Sequence, residues 1–303
     1  MNITLQGIKD AFQKSGYCTN DHITYAFFSS ILCDRPMIIE GAPGVGKTSS
    51  VKALADGLGM PFLRVQMYEG LTADQILYDY DYQKQLLTLE AIKPKLEEEY
   101  KNIGINEAIQ RVVNEMDFYG TPFLIKRPVL KSILSNKRVV LLFDEIDKAA
   151  EEVEYMLYEF LENGSISIPQ HGEIFCDKET LPLVFFTSNN YRELSGALKR
   201  RCNYLYIEQK TREEIIQILI EKANADMHIA TGIAKCLQLI QGANVRQIPS
   251  ISEAIEFAVY LNANEKVTKE LVMNSLGILI KNHRDENVIR TIVSENGEIL
   301  WRQ

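Results

Sequence analysis

Cysteine and histidine are scarce in this chain, and their placement removes two common ways of building a site. The five cysteines, at positions 18, 33, 176, 202 and 236, are odd in number and widely scattered. That excludes a disulfide framework and a zinc ribbon and reads them as reduced core or surface thiols. The four histidines, His22, His171, His228 and His283, are far apart, so any metal should arrive with another ligand rather than on them. Also missing is any run near the about 20 apolar residues that cross a bilayer, and the first residues lack the basic start and apolar centre of a secretion signal. The expectation is a cytoplasmic protein with no membrane partner. Basic residues are in the minority: 33 Lys and Arg against 41 Asp and Glu leave a formal net charge of −8. This balance argues against nucleic acid as a partner and leaves room only for a local basic channel.

What is present is enough for a sizeable core. At 303 residues, 46% hydrophobic and 24% charged, the composition suits a globular protein of two unequal domains. Val139, Val140, Leu141, Leu142 and Phe143 form a continuous apolar run, as do Leu183, Val184, Phe185 and Phe186. Such runs read as strands buried on both faces of a parallel sheet. Met37 to Ile39, residues 62–66 and residues 205–208 add further strands, separated by helical stretches. The pattern predicts a doubly wound α/β domain over residues 1–209. From residue 210 to 303 the strand signals stop. Thr211 and Glu214 have capping-box spacing, Gly242 is placed to end a helix at Gln241, and further helices are expected over 250–261 and 268–281, giving an all-helical second domain. Two stretches interrupt the α/β pattern. Residues 81–116 contain a strand candidate at 85–92, then a charged helical segment with Leu96, Ile103, Ile109, Val112 and Met116 at loose helical spacing. Residues 165–176 carry a hairpin signal around 169–172.

The strand at Met37 to Ile39 runs into Gly41, Ala42, Pro43, Gly44, Val45, Gly46, Lys47 and Thr48, with Ser49 next on a helical pattern. The spacing G-x-x-x-x-G-K-[ST] has a mechanical reason. Glycines let backbone amides curl around phosphates at a helix N-terminus, Lys47 reaches the outer phosphates, and the Thr48 hydroxyl can ligate Mg²⁺. By itself this predicts that a nucleoside triphosphate such as ATP binds. At the end of the run 139–143 stand Asp144 and Glu145. Asp144 is placed to organise Mg²⁺, and Glu145 to polarise a water for in-line attack on the γ-phosphorus. Asp147 and Lys148 read as residues that end the buried strand and start a helix at its favourable end.

With these residues in hand, the chain resembles the AAA+ ATPases, and within them the MoxR-like branch. The resemblance rests on residues 41–48, on Leu141-Leu142-Phe143-Asp144-Glu145-Ile146-Asp147, on Phe186-Thr187-Ser188-Asn189, on Leu194-Ser195-Gly196-Ala197-Leu198-Lys199-Arg200-Arg201-Cys202, and on Gly242-Ala243-Asn244-Val245-Arg246. The segments Tyr68-Glu69-Gly70-Leu71, Leu77-Tyr78-Asp79-Tyr80, Gln85-Leu86-Leu87 and Arg127-Pro128-Val129-Leu130 look like the CoxD-like subset. The resemblance implies a P-loop AAA+ sheet with a C-terminal all-helical lid. Asn189 would be a first sensor touching the γ-phosphate or the attacking water, with Asn190 the alternative. Arg201 would be an arginine finger acting on the neighbouring subunit's nucleotide, with Arg200 the alternative, and Arg246 a second sensor at a helix start. It also implies ATP and Mg²⁺ as ligands and a homo-oligomeric, hexameric ring. The implied role is chaperone-like remodelling of a protein client, with a partner carrying a von Willebrand factor A domain. Residues 81–116 and 165–176 would match family insertions. The chain departs from the family at Asn190, where proline is frequent, and at Cys202, where phenylalanine is frequent. Two other readings stay open at this point: a DNA-acting AAA+ motor, which would share the catalytic residues, and a monomeric P-loop switch or kinase.

Overall fold

The computed structural model describes residues 3–99, 104, 106, 107, 111, 117–169 and 171–301. From the N-terminus the order is α1 (Leu5–Lys14), α2 (Asp21–Leu32), β1 (Met37–Gly41), α3 (Lys47–Leu58), β2 (Phe62–Gln66), α4 (Ala73–Ile76), β3 (Tyr78–Tyr80), α5 (Tyr82–Glu99), β4 (Leu124–Lys126), α6 (Pro128–Ile133), β5 (Val140–Asp144), α7 (Glu151–Asn163), β6 (Ser165–Ile168), β7 (Gly172–Phe175), β8 (Leu183–Ser188), α8 (Gly196–Arg201) and β9 (Asn203–Ile207). Beyond β9 the described residues are helical: α9 (Arg212–Ala223), α10 (Met227–Gln241), α11 (Ile251–Asn262), α12 (Lys269–Ser275), α13 (Glu286–Asn296) and α14 (Glu298–Trp301), joined by turns and single 3-10 turns.

Five strands form one sheet in the order β2-β5-β8-β1-β9. The pairs β2–β5, β5–β8 and β1–β9 are parallel, as their helical crossovers require. This is the doubly wound α/β architecture, and the five strands expected for it are present, with ends moved by at most two residues. β5 and β8 are buried along their whole length, which is why each reads as an unbroken apolar run rather than an alternation. Phe143 and Phe186 stack across that pair with ring centroids 5.0 Å apart.

The chain forms two compact units: Met1–Gly59 with Thr187–Tyr191 and Asn203–Gln303, and Met60–Phe186 with Arg192–Cys202. In the first, α1 lies against α3 so closely that a Cβ on Gly57 would stand 2.1 Å from the Ala11 carbonyl oxygen. The helices α9 to α14 share a core that includes Leu219, Ile233, Leu237, Phe257, Leu261, Val272 and Val293. Both hydrogen bonds of the Thr211–Glu214 capping box are made, and Ser250 with Glu253 forms a second. Gly242 caps α10 as expected. α12 ends at Ser275, short of the expected 281. There the Ser275 hydroxyl bonds the Leu271 carbonyl at 2.8 Å, a local competition with the backbone ladder, and the chain tightens into a 3-10 turn at Leu276–Ile278.

In the second unit, β3 and β4 pair antiparallel, Tyr78 opposite Lys126, and so bracket the segment that interrupts the α/β pattern. The strand expected at 85–92 is instead part of α5. The Asp81 carboxylate accepts the Lys84 amide at 2.9 Å, a helix-starting cap, and the apolar pair Leu86 and Leu87 is exposed rather than alternately buried. Leu96 lies on α5; Ile103, Ile109, Val112 and Met116 lie outside the described residues. The expected hairpin is formed by β6 and β7, Ser165 opposite Phe175. The Tyr80 hydroxyl on β3 donates to the Pro169 carbonyl at its tip, 2.9 Å away. No helix among the described residues is long and apolar enough to cross a membrane.

Candidate active site

Two constellations hold the chemistry-bearing residues, one in each unit. In the first, β1 leads into the loop at 41–46 and α3 starts at Lys47. Gly44 and Gly46 take φ of 80° and 97°, left-handed conformations that side-chain-bearing residues adopt at a cost. A Cβ on Gly44 would also stand 2.6 Å from the Ser250 Cβ at the start of α11. The first helical hydrogen bond runs from Ser50 N–H to the Gly46 carbonyl at 2.9 Å. The amides ahead of it therefore face the positive end of α3, where an anion is favoured. Lys47 is buried, and its ammonium donates to the Gly41 and Ala42 carbonyls at 2.8 and 2.9 Å and to Asn189 Oδ1 at 2.6 Å. Thr48 is half-buried and Ser49 exposed on the first turn of α3.

Asn189 and Asn190 are separated by this geometry. Asn189 meets Lys47, whereas Asn190 is exposed, has φ of 61° and bonds the Ser188 hydroxyl through its own amide at 3.0 Å. Asparagine tolerates that backbone and proline does not, which accounts for the departure from proline at 190. A cavity of about 440 Å³ is lined by Ala42, Val45, Lys210, Val245, Arg246 and Ser250, among others, a volume typical of small-molecule sites. Arg246 is exposed and lies in the loop between α10 and α11, not at a helix start as expected. The buried Asp285 carboxylate fixes that loop by accepting the Arg246 and Gln247 amides, each at 2.9 Å.

In the second unit, β5 delivers Asp144 and Glu145. Asp144 is buried, with its carboxylate accepting from Arg64 Nε at 2.9 Å. Glu145 has φ of 60°, a left-handed backbone that costs a glutamate about 1–2 kcal/mol. Its Oε2 accepts from Gln66 Nε2 at 2.8 Å and Lys148 Nζ at 2.7 Å. A strained acidic residue at the mouth of a parallel sheet is where ligand chemistry concentrates. On α8, Arg200 is exposed. Arg201 is half-buried: its guanidinium carbon lies 4.6 Å from the Tyr158 ring centroid, and its nitrogens reach Glu162 at 3.0 Å and the Ala197 carbonyl at 3.2 Å.

Residues 36–202 match the sequence model of the AAA domain, dynein-related subfamily. The chain belongs to this family. No curated protein matches it. Among solved structures it is similar to Thermotoga maritima RuvB. A point mutant of that protein is 15% identical at a TM-score of 0.49, with 90% of this chain and 74% of that one covered. The structure named RuvB Holliday junction branch migration motor is 16% identical at a TM-score of 0.48, with 95% and 76% covered.

Sequence reasoning missed two residues that contact the candidate carboxylates, Arg64 on Asp144 and Gln66 on Glu145. Arg64 and Gln66 alternate along β2, so both sit on one face of the strand, and the register places Arg64 opposite Leu142 and Gln66 opposite Asp144. Two polar side chains at i and i+2 in an otherwise apolar strand were the available signal. The Thr48 hydroxyl in the first unit and the Asp144 carboxylate in the second are each oxygen donors of the type that Mg²⁺ takes, and the glycine-lined loop fits a phosphate chain.

Proposed function

We propose that this AAA domain hydrolyses ATP to ADP and phosphate within a ring of like subunits, hexameric as in the MoxR-like branch it resembles. The observation that carries the reading is the Lys47–Asn189 contact of 2.6 Å, because it brings a phosphate-loop cation to a polar group at the end of a neighbouring strand. Lys47 and the backbone N–H groups of residues 41–49, Pro43 excepted, bind the phosphates of ATP. Thr48 and Asp144 would hold Mg²⁺, which would neutralise phosphate charge. Glu145 takes the proton of the attacking water, Asn189 orients the γ-phosphate or that water, and Arg201 of one subunit stabilises charge at the site of the next. Arg246 reads nucleotide occupancy into the helical region 210–303, which acts as a lid. The work is spent on chaperone-like remodelling of a protein client in the cytoplasm, together with a partner that carries a von Willebrand factor A domain.

The test is the Glu145→Gln variant. ATP binding, followed with a fluorescent analogue, should persist while hydrolysis falls at least about a hundredfold, as for loss of a positioned base. Near-normal turnover refutes the assignment. Hydrolysis stimulated by DNA in a salt-dependent way would move the reading to a DNA motor, and phosphoryl transfer to an acceptor other than water would move it to a kinase.

A further inference from the structure

The second unit holds an ion pair with a buried carboxylate and a half-buried guanidinium that no step of the reaction uses. Glu154, on α7, is fully buried; its Oε1 lies 2.6 Å from Arg192 Nη1, and its Oε2 accepts the Ser195 amide at 3.1 Å. A buried carboxylate is costly unless it is paired and hydrogen-bonded, so the arrangement fixes both of its partners. Besides this ion pair, Arg192 donates hydrogen bonds to main-chain carbonyls: Ala149 at 2.8 Å, Glu193 at 3.1 Å and Ile146 at 3.4 Å. Ile146 directly follows Glu145. Ser195, in turn, caps α8, its hydroxyl accepting the Leu198 amide at 3.2 Å and forming a hydrogen bond with the Tyr158 hydroxyl at 2.6 Å, in which either oxygen can donate.

The α7 residues involved recur every fourth position and so form one stripe of that helix. Glu154 holds Arg192 and Ser195, Tyr158 holds Ser195 and lies beneath Arg201, and Glu162 holds Arg201. A continuous run of polar contacts therefore leads from the carbonyl next to Glu145 to the helix that carries Arg200 and Arg201. We propose that Arg192, Glu154 and Tyr158 are positioning residues that set α8 against the exit of β5, so that the finger presented to the next subunit is aligned by the state of the chain's own base. The inference rests on the reading of Glu145 as base and Arg201 as finger.

The experiment mixes subunits. An Arg201→Ala subunit keeps its own base and lacks a finger; a Glu145→Gln subunit lacks the base and donates a finger. ATP hydrolysis should recover in this mixture. The Glu145→Gln donor then also carries Arg192→Met or, separately, Tyr158→Phe, with assembly checked by sedimentation and ATP affinity by a fluorescent analogue. We expect recovery to fall about tenfold or more with either donor at unchanged ATP affinity, the scale of effect for a displaced catalytic group. Recovery equal to that of the Glu145→Gln parent overturns the proposal, because a merely local structural role would leave donation intact. Should Arg192→Met fail to fold, Tyr158→Phe decides, since it keeps the ring under Arg201 and removes only the hydroxyl. No recovery with the Glu145→Gln parent would instead refute the finger acting between subunits.

Discussion

The ammonium of Lys47 stands 2.6 Å from the Oδ1 of Asn189, closer than either of its two carbonyl partners. The Gly41 and Ala42 carbonyls and Asn189 thus hold the ammonium together, and the two carbonyls can keep Lys47 in place without Asn189. Replacing Asn189 by alanine should leave ATP affinity within about threefold and lower kcat about a hundredfold, the scale for losing one preorganised polar group. A variant that raises KM with kcat unchanged would assign Asn189 to ground-state binding alone. Steady-state hydrolysis with an independent binding measurement separates the two.

Arg64 should act on the metal requirement. Its guanidinium pairs with Oδ2 of Asp144 from a half-exposed position, so it would compete with a cation for that carboxylate. In Arg64→Met, the Mg²⁺ concentration for half-maximal hydrolysis should fall roughly three- to fivefold, the equivalent of a partly solvated ion pair worth about 0.5–1 kcal/mol. A rise would mean that Arg64 holds Asp144 in its working orientation.

Gly57 gives a stability prediction independent of function. Alanine normally gains about 1 kcal/mol over glycine inside a helix, yet the added methyl would stand 2.1 Å from a backbone carbonyl of α1. Backbone cannot rotate away as a side chain does, so overpacking of about 1–3 kcal/mol should win. Denaturant unfolding of Gly57→Ala should show a lower midpoint at unchanged slope, and a raised midpoint would contradict the packing described.

The thiols should divide by burial. Cys33 is exposed, while Cys236 sits in the helical core, where burial pushes its thiol up to about 11. Because the thiolate is the reactive form, at pH 8 only about one Cys236 in a thousand is reactive even before steric exclusion. Iodoacetamide followed by peptide mass analysis should modify Cys33 in the native protein and Cys236 only after unfolding. Native labelling of both at similar rates would contradict the helical core.

The parts of this molecule that could be read from sequence are those fixed by local necessity. β5 and β8 announce themselves because a strand covered on both faces has no polar positions to alternate. Gly44 and Gly46 do so because a left-handed loop demands glycine at set intervals. Thr211 and Glu214 mark a helix start because the cap closes within four residues. What sequence hid is decided by long-range pairing. Nothing near Arg64 or Gln66 says that β5 will lie beside them, and nothing near Arg192 points to Glu154 on another element. The segment at 85–92 was misread for a related reason: Leu86 and Leu87 suggest a buried strand only if burial is assumed, and the Asp81 cap that starts a helix there was the better guide. The same limit applies to Arg246, whose short motif suggested a helix start although the helix begins only at Ile251.

The hydrogen bond from Tyr80 to the Pro169 carbonyl has a mechanical corollary. Tyr80 belongs to the ribbon from whose strands the segment 81–123 departs, and Pro169 follows the last residue of β6. Two elements separated by most of a hundred residues of chain are thereby tied at their described roots. A load applied to the hairpin tip is passed through that bond to the β3–β4 ribbon.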